Sequence, residues 1–333
     1  MAFKRSNLKN DYGDPIGEAR SCRQESALFD FSFLECGRLR GSDALSVVEA
    51  FVRRPLASLP NGAIAYAVRT DPRGMALADL TVWRTEIDTF EVMSGRREDI
   101  ENLTACASPQ VEITNLEGAR AIFAVQGPGG FDVLNRLGCD DIIADLKYFR
   151  FRQVELGGAH CTVGRLGFTG EAGFEIILPV SESARLWGQI SRYSRPAGFV
   201  AMDALRIEAG FVLFANEFKL PISPAEAGLQ QFRNDENGKQ ALKLVAFQAE
   251  ADHLTLPWVR TAPLERPKQP GVIAITSACN SIVANGILGL GFIEASTDDN
   301  APLHDPSGEF REIRRVPRPF YDRLKKRPRQ PWR

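Results

Sequence analysis

The residues best suited to chemistry are carboxylates set in apolar or glycine-rich sequence. Two of them, Glu171 and Glu175, lie in residues 164–178, which read GRLGFTGEAGFEIIL. The glycines at 167, 170 and 173 permit turns and a close approach of the backbone to another group. The apolar run 174–178 is typical of a buried strand, in which Glu175 would need a partner. A glycine-rich hairpin with solvated glutamates is the alternative, because spacing alone is a weak signal.

A third carboxylate, Asp79, lies in the run MALADLTVW. The turn at residues 71–74 separates the strand predicted for 75–84 from an alternating strand at 63–68, so the two are expected to form a hairpin. A carboxylate in such an apolar strand is costly unless it is paired or bound. An edge-strand Asp79 that faces water is the alternative.

The rest of the sequence excludes several common chemistries. The three histidines do not form a metal-ligand cluster, and the six cysteines contain no CxxC pair, which is typical of free thiols in a reducing compartment. The chain contains no GxSxG elbow, no P-loop and no GxGxxG that opens a helix.

Composition indicates an ordinary soluble globular protein. The chain has 333 residues and a net charge of −1, which gives no argument for nucleic acid or an anionic membrane as a partner. No apolar run is long enough to span a membrane, and the N-terminus lacks the apolar part of a secretory signal. We therefore expect a cytoplasmic protein, and the sequence leaves open whether it forms a homodimer.

The elements that must position these carboxylates follow from hydrophobic periodicity. Residues 1–20 are predicted to be loosely packed, residues 26–41 to form one strand, and residues 42–53 and 200–214 to form helices. Composition changes at the polar break 233–238 and then becomes strand-like and proline-rich, which predicts a small all-β domain. The basic tail from residue 311 to 333 is interpreted as a solvated surface.

Several stretches, in this order, resemble the glycine-cleavage T-protein family of tetrahydrofolate-dependent enzymes, which includes folate domains of dimethylglycine and sarcosine oxidases and folate-dependent demethylases. They are LFDFSFLECGRLRGSDAL, LPNGAIAYAVRTDPRGMALADLTVWR, FAVQGPGGFDVLNRL, GRLGFTGEAGFEIILP, FVAMDALRIEAGFVLFANEFKLPISPAEAGL, NGKQAL, ITSACNSIVANGILGLGFI and VPRPFYD. Together they span about residues 27–322 of the chain.

The resemblance implies an α+β, three-lobed, T-protein-like folate-binding fold. Two interleaved lobes, residues 1–235, would enclose a hole for the pterin, and a C-terminal β-barrel, residues 236–333, would close it. The expected cofactor is tetrahydrofolate.

The resemblance also implies roles for single residues. Glu175 matches the family glutamate that pairs with the pterin edge, and Asp79 matches the aspartate nearest the reacting nitrogen. Tyr66, Phe168 and Gln126 are expected on the folate-binding side, and the glycines near Glu175 are expected to allow close approach to the flat pterin. Arg206 and Glu208 of the LRIE segment are interpreted as a buried ion pair of one helix.

Two departures bear on the substrate. Family members usually carry a tyrosine where this chain has Phe168 and an arginine where it has Met202. Loss of the arginine removes an anion-binding group and leaves an apolar wall, so Met202 and Phe168 are predicted to contact the substrate.

The sequence therefore predicts a methyltransferase that demethylates a small N-, O- or S-methylated compound and passes the methyl group to tetrahydrofolate, with Asp79 as the catalytic residue. The alternatives are an aminomethyltransferase of glycine cleavage that forms methylene-tetrahydrofolate, and a non-catalytic folate-binding regulatory protein. Relatives that maintain iron–sulfur proteins carry a KGCYxGQE-like cysteine motif. Residues 215–219, Ala-Asn-Glu-Phe-Lys, lack that cysteine.

Overall fold

The computed structural model describes residues 8–232 and 240–332 as three antiparallel sheets, with one parallel pair, and the helices between them. The strands are β1 (Ala27–Asp30), β2 (Glu35–Arg40), β3 (Ala63–Thr70), β4 (Ala76–Glu86), β5 (Thr89–Ser94), β6 (Glu112–Asn115), β7 (Arg120–Gln126), β8 (Phe151–Leu156), β9 (Ala159–Gly164), β10 (Gly173–Pro179), β11 (Arg195–Pro196), β12 (Leu242–Glu250), β13 (Ile273–Ser281), β14 (Gly286–Glu294) and β15 (Arg311–Val316). The helices are α1 (Pro15–Gln24), α2 (Ala44–Val52), α3 (Arg97–Thr104), α4 (Gly130–Asn135), α5 (Asp140–Ile143), α6 (Ser183–Ile190), α7 (Phe199–Glu208) and α8 (Phe214–Glu217).

The first sheet has five strands in the order β3-β4-β5-β2-β6. The predicted hairpin is confirmed, because β3 and β4 pair with Val68 opposite Asp79 and Tyr66 opposite Thr81. Side chains alternate along β4, so Ala78, Leu80 and Val82 are buried on one side while Asp79 lies on the other. Leu80 and Val82 pack against α2 and α3 on the outer side of this sheet.

The second sheet has six strands in the order β11-β1-β7-β10-β9-β8. One face packs on α4, α5 and α6, and the opposite face meets the first sheet in a shared core. Trp83 of β4 lies against Gly164 of β9, where a Cβ would come within 2.3 Å of the indole ring. The inner faces of the two sheets therefore confront each other.

The third sheet has four strands in the order β13-β14-β12-β15 and accounts for the predicted C-terminal β-domain. It packs against Ala204 and Ile207 of α7 and against Val68 and Ala76 of the first sheet. The chain is thus α+β with three lobes, as expected. The predicted domain boundary after residue 235 and the polar break 233–238 lie outside the described residues.

Three local predictions were wrong. Residues 15–24 form α1, which buries Glu18 and Arg23, because both side chains find partners across the fold. Residues 26–41 form β1 and β2, which belong to different sheets. The helical run predicted for 200–214 ends at Glu208, two residues before Gly210, which has a φ of 69° that favours glycine.

The basic tail is partly packed on the rest of the protein, although Arg311, Arg314, Arg323 and Lys326 are exposed, as predicted. Backbone N–H groups of Phe320 and Tyr321 donate to the carbonyl of Glu208 at 3.1 and 2.8 Å. Near its end, Trp332 stacks on Phe174 with ring centroids 4.9 Å apart. We call residues 318–332 the C-terminal strap. It folds back because its aromatic rings and arginines meet complementary groups of the second sheet and α7.

Candidate active site

Glu175 lies on the inner face of the second sheet, and its carboxylate has no partner among the described residues. Its strand neighbours are Ala124 and Gly164, and its side chain is only 7% exposed. In the described part of the chain no side chain donates a hydrogen bond or forms an ion pair to its carboxylate. Burial alone raises the pKa of Glu175 to about 7. A buried acceptor of this kind is prepared for an external donor.

Glu171, four residues earlier, is satisfied completely. Its carboxylate accepts from Arg23 at 3.0 Å, from Arg327 at 2.8 Å and from the hydroxyl of Tyr321 at 2.6 Å. Arg23 also donates to Glu208 at 2.7 Å. Glu171 therefore anchors α1 and the C-terminal strap, which supports Glu175 as the carboxylate available to a ligand.

Gln126 lies behind the glycine-rich stretch and holds it in place. It is fully buried, donates to the carbonyl of Leu166 at 3.1 Å and accepts from Thr169 at 3.0 Å. A Cβ at Gly167 would lie 1.8 Å from its amide oxygen, and one at Gly173 would lie 2.5 Å from its amide nitrogen. These glycines thus make room for Gln126 rather than for a ligand. Both ends of the Gln126 amide are thus engaged within the protein, and its role in cofactor binding stays a prediction.

Asp79 and Tyr66 face each other across the β3–β4 hairpin. The Tyr66 hydroxyl donates to Oδ2 of Asp79 at 3.1 Å. Burial, followed by a smaller effect of the Glu217 charge, raises the pKa of Asp79 to about 6 although the Tyr66 hydrogen bond opposes this rise. Both residues are partly buried and keep partial exposure. The alternative of an edge-strand Asp79 facing water is not what the structure shows, because β4 lies between β3 and β5.

The two departures from the family pattern occupy different positions. Phe168 is half-buried and stacks on Phe211 with centroids 6.0 Å apart and an interplanar angle of 22°. Met202 is 3% exposed within the core between the two sheets. Met202 is therefore a core residue in this structure. Its predicted contact with the substrate stays a prediction, and it would require the substrate to reach the core between the two sheets.

Arg206 and Glu208 do not pair with each other, contrary to the sequence interpretation. Arg206 donates to Asp203 at 2.8 Å and to Glu217 at 3.0 Å, whereas Glu208 binds Arg23 and accepts from Ser281 at 2.7 Å. Both are buried ionic groups, as expected, but residues two apart on a helix point in different directions. They connect α7 to α1, α8 and the third sheet.

Sequence reasoning missed two groups near the site. Arg318 of the strap donates to three carbonyls, including that of Ala227 at 2.9 Å, and burial lowers its pKa to about 10. Burial raises the pKa of Tyr66, and the positive charge of Arg318 opposes this rise. Tyr148 lies near Glu175. Burial of Tyr148, and to a smaller extent the charge of Glu175, raises the pKa of the Tyr148 phenol. The VPRPFYD segment was the available signal for Arg318, since it places a cation among aromatic residues.

Within the described residues, no cluster of three histidine, cysteine or carboxylate side chains is arranged to hold a metal ion. In the same ranges, no helix combines the length and apolar character needed to cross a bilayer.

Comparisons with known proteins agree with this architecture. A family model described as "GCVT N-terminal domain" matches residues 9–234. The aminomethyltransferase of Moorella thermoacetica is 30% identical over 95% of this chain and 92% of its own length, and that of Thermotoga petrophila is 26% identical over 93% and 90%. The crystal structure of glycine cleavage system aminomethyltransferase T from Bartonella henselae matches with a TM-score of 0.74 at 22% identity, covering 87% of this chain and 84% of that one, which supports the fold. The chain belongs to the glycine-cleavage aminomethyltransferase (T-protein) family, whose enzymes use tetrahydrofolate as a cosubstrate.

Proposed function

We propose that this enzyme transfers a one-carbon unit from a donor to tetrahydrofolate held between the two facing sheets. The observation that carries the proposal is the unpartnered, buried carboxylate of Glu175. The aminopyrimidine edge of a pterin offers adjacent N–H donors, and one carboxylate can accept both. Phe168, which is half-buried, and Tyr66, which is partly exposed, are the aromatic side chains proposed to contact the pterin.

Asp79 is the proposed catalytic residue. With a pKa of about 6 it is mostly ionised at pH 7, and its surroundings are poorly solvated. A fixed carboxylate in such surroundings stabilises positive charge that develops on the reacting nitrogen or donor. Tyr66 holds the carboxylate in one orientation through its hydrogen bond at 3.1 Å. Binding both reactants in register would supply much of the remaining rate enhancement.

The first candidate reaction is aminomethyl transfer. The named relatives are aminomethyltransferases, which favours this reaction over the demethylation predicted from the sequence. The cosubstrate supplies two nitrogens that take up the methylene carbon. The donor is an aminomethyl group bound to a sulfur atom of a carrier protein. Its carbon–sulfur and carbon–nitrogen bonds break as the two bonds to the cosubstrate nitrogens form. The two N–H protons of the cosubstrate go to the departing amine, released as ammonia, and to the carrier sulfur, so the step involves no net oxidation.

The second candidate is demethylation of a small methylated compound. It is favoured by Met202 and Phe168, which stand where family members usually carry an arginine and a tyrosine. The guanidinium and the hydroxyl of those residues are therefore absent from this protein. Here the bond from the methyl group to its heteroatom breaks and a bond to a cosubstrate nitrogen forms. The proton of that nitrogen moves to the heteroatom, again without net oxidation.

Folate binding tests the shared part of both candidates. Wild-type protein should bind tetrahydrofolate in the micromolar range, and Glu175→Gln should weaken binding by about 10- to 100-fold, because hydrogen bonds to a charged group contribute about 1.5–3 kcal/mol. Glu155→Gln, an exposed glutamate on β8, is the matched control and should bind as the wild type does. Absence of micromolar binding, or equal affinity of Glu175→Gln and wild type, would refute the proposal.

Product analysis separates the two candidates. Reduced aminomethylated carrier protein should yield methylene-tetrahydrofolate and ammonia if the first is correct, and a panel of methylated small molecules should yield methyl-tetrahydrofolate if the second is. Asp79→Ala should abolish either product while tetrahydrofolate still binds. Full activity of Asp79→Ala would remove Asp79 from the mechanism.

A further inference from the structure

Arg318 of the C-terminal strap is a cation that is held in place by carbonyl groups alone. Its Nε donates to the carbonyl of Gly210 at 3.2 Å, its Nη1 to that of Leu244 at 3.2 Å and its Nη2 to that of Ala227 at 2.9 Å. In the described part of the chain no carboxylate forms an ion pair with it. The three carbonyls fix the orientation of the guanidinium but leave its positive charge unneutralised.

The protein makes room for this guanidinium with two glycines. A Cβ at Gly210, which follows α7, would lie 2.8 Å from Cγ of Arg318. A Cβ at Gly228 would lie 3.5 Å from its Nη2. Arg318 is therefore built into the junction between the end of α7, the turn that contains Gly228, and β12.

The segment that binds Arg318 also packs on Tyr66. Ala227 accepts from Arg318, and Phe232, five residues later, meets the Tyr66 ring edge-on with centroids 4.7 Å apart. Tyr66 and Phe320, which lies two residues after Arg318, pack against one apolar cluster that includes Ala227. Arg318 and Tyr66 thus border the same small core.

The charge of Arg318 makes the Tyr66 phenol a better hydrogen-bond donor. Burial raises the pKa of Tyr66, and the Arg318 charge opposes that rise. A nearby cation stabilises the negative charge that develops on the phenol oxygen as its O–H group donates. The acceptor of that bond is Oδ2 of Asp79 at 3.1 Å. Arg318 therefore strengthens the bond that orients Asp79 and favours its ionised form.

The other charges around Asp79 largely cancel. Burial raises the pKa of Asp79, the charge of Glu217 on α8 adds to this rise, and the charge of Arg206 on α7 opposes it. Arg206 and Glu217 form an ion pair with each other at 3.0 Å, so their effects on a third group are opposite in sign. The Tyr66 hydrogen bond is thus a main contribution from the protein that favours the ionised Asp79.

Two further cations lie near this group. Arg54 donates to the backbone carbonyl of Tyr66 and not to its hydroxyl. Burial lowers the pKa of Lys325, and the Arg318 charge adds to this effect, as expected of a cation that no carboxylate neutralises. Of these three cations, Arg318 is the one whose charge acts on the Tyr66 phenol.

We propose that Arg318 is a positioning residue of the active site, which acts on Asp79 through the hydroxyl of Tyr66. The proposal rests on the catalytic role of Asp79 in the proposed function. In this role Arg318 touches neither reactant. It makes the C-terminal strap, which carries Arg318, a part of the electrostatic environment of the reaction.

Titration of the Asp79 carboxyl tests the proposal without any ligand. The signal is followed by NMR in full-length protein with 13C-labelled aspartate and is assigned with Asp79→Asn. The wild-type pKa should be about 6. In Arg318→Gln it should rise by about 0.5, because the Tyr66 bond weakens when the charge is lost.

Arg318→Lys separates charge from structure. Lysine keeps the charge but cannot reproduce a fork that binds three carbonyls, so the protein should lose stability while the pKa of Asp79 stays within about 0.2 of the wild-type value. An unchanged pKa in Arg318→Gln, or an equal rise in the lysine and glutamine variants, would overturn the proposal. Arg318→Met, which keeps the length of the side chain without its charge, gives the same readout if the glutamine variant does not fold.

Two comparisons establish the route of the effect. Arg314→Gln, an exposed arginine on β15, is the matched control and should leave the pKa of Asp79 unchanged. In a Tyr66→Phe background, Arg318→Gln should cause no further rise, because the hydroxyl through which it acts is gone. An equal rise with and without the Tyr66 hydroxyl would overturn the route through Tyr66.

Rate–pH profiles separate this proposal from the proposed function. The acidic limb should move upward in Arg318→Gln by the same amount as the pKa of Asp79, and it should stay in place in Arg318→Lys. An unmoved limb together with a raised pKa would overturn the positioning role. Absence of one-carbon transfer by the wild type would refute the proposed function, whereas the titration needs no activity and still decides whether Arg318 acts on Asp79.

Discussion

Glu171 and Glu175 are four residues apart, both buried, and opposite in their surroundings. Glu171 is 2% exposed and accepts from two arginines and a tyrosine, whereas Glu175 is 7% exposed and accepts from no described side chain. Removing a carboxylate from water is costly, and the protein compensates that cost only at Glu171. The difference teaches that burial alone does not identify a functional carboxylate. The absence of a described partner is what makes Glu175 the candidate for ligand binding.

The largest expected effect is loss of stability in Glu171→Gln. In this variant Glu208 is the only described carboxylate that still pairs with Arg23. The ion pair between Glu171 and Arg327 is also lost. Breaking a buried ion pair by removal of one partner costs about 3–5 kcal/mol. The free energy of unfolding from urea denaturation should fall by that amount. A loss below 1 kcal/mol would contradict the structural role of Glu171.

The effect of Glu175 on the stability of the folded protein should depend on pH. Its folded pKa of about 7 lies above the ordinary value of 4.5, so the folded state prefers the protonated form. The resulting penalty is absent below about pH 4.5, grows as pH rises and is complete above about pH 7. A shift of this size corresponds to about 3 kcal/mol.

The measurement is the difference in unfolding free energy between wild type and Glu175→Gln in the absence of folate. Relative to the variant, the wild type should lose stability from pH 4.5 to 7.5. Glu155→Gln should give a difference that does not depend on pH over this range. A flat difference for Glu175→Gln would show that Glu175 has a partner after all.

A smaller effect is expected where one donor to Glu171 is removed and the two arginines remain. Tyr321→Phe deletes the hydroxyl that donates at 2.6 Å. A hydrogen bond to a charged acceptor contributes about 1.5 kcal/mol, so the free energy of unfolding should fall by about that amount. Tyr12→Phe, whose ring stacks on Trp187 at the surface, serves as the control and should leave stability unchanged.

The smallest effect concerns Asp79, a buried carboxylate with a single phenolic donor. Tyr66→Phe removes the hydrogen bond that opposes the rise in the pKa of Asp79, so the acidic limb of the rate–pH profile should move above its wild-type position near pH 6. The change in transition-state stabilisation should be about 1 kcal/mol, as for one hydrogen bond. An unmoved limb would separate Tyr66 from Asp79.

Local patterns were sufficient for much of the fold. The β3–β4 hairpin follows from alternation and a turn, and Glu175 and Asp79 stand out because carboxylates are rare in apolar strands. The partners of charged residues could not be predicted. Arg206 finds Glu217 and Ser277, and Arg23 finds Glu171 and Glu208, across as many as 185 positions of sequence.

The C-terminal strap shows the same limit. A basic terminal segment read alone indicates a solvated surface, yet Arg327 and Tyr321 bind Glu171, and Trp332 stacks on Phe174. Likewise Gln126 was expected to contact a ligand, but it fills the space left by Gly167 and Gly173. Both outcomes depend on which groups the fold brings within hydrogen-bonding distance.

The sequence by itself determined the family, the α+β class and the two carboxylates of interest, because these depend on residue types and their order. Only the tertiary structure decided that Glu171 is satisfied while Glu175 has no partner among the described residues. The physical reason is that the free energy of a buried charge depends on neighbours contributed by distant segments, which no local pattern specifies.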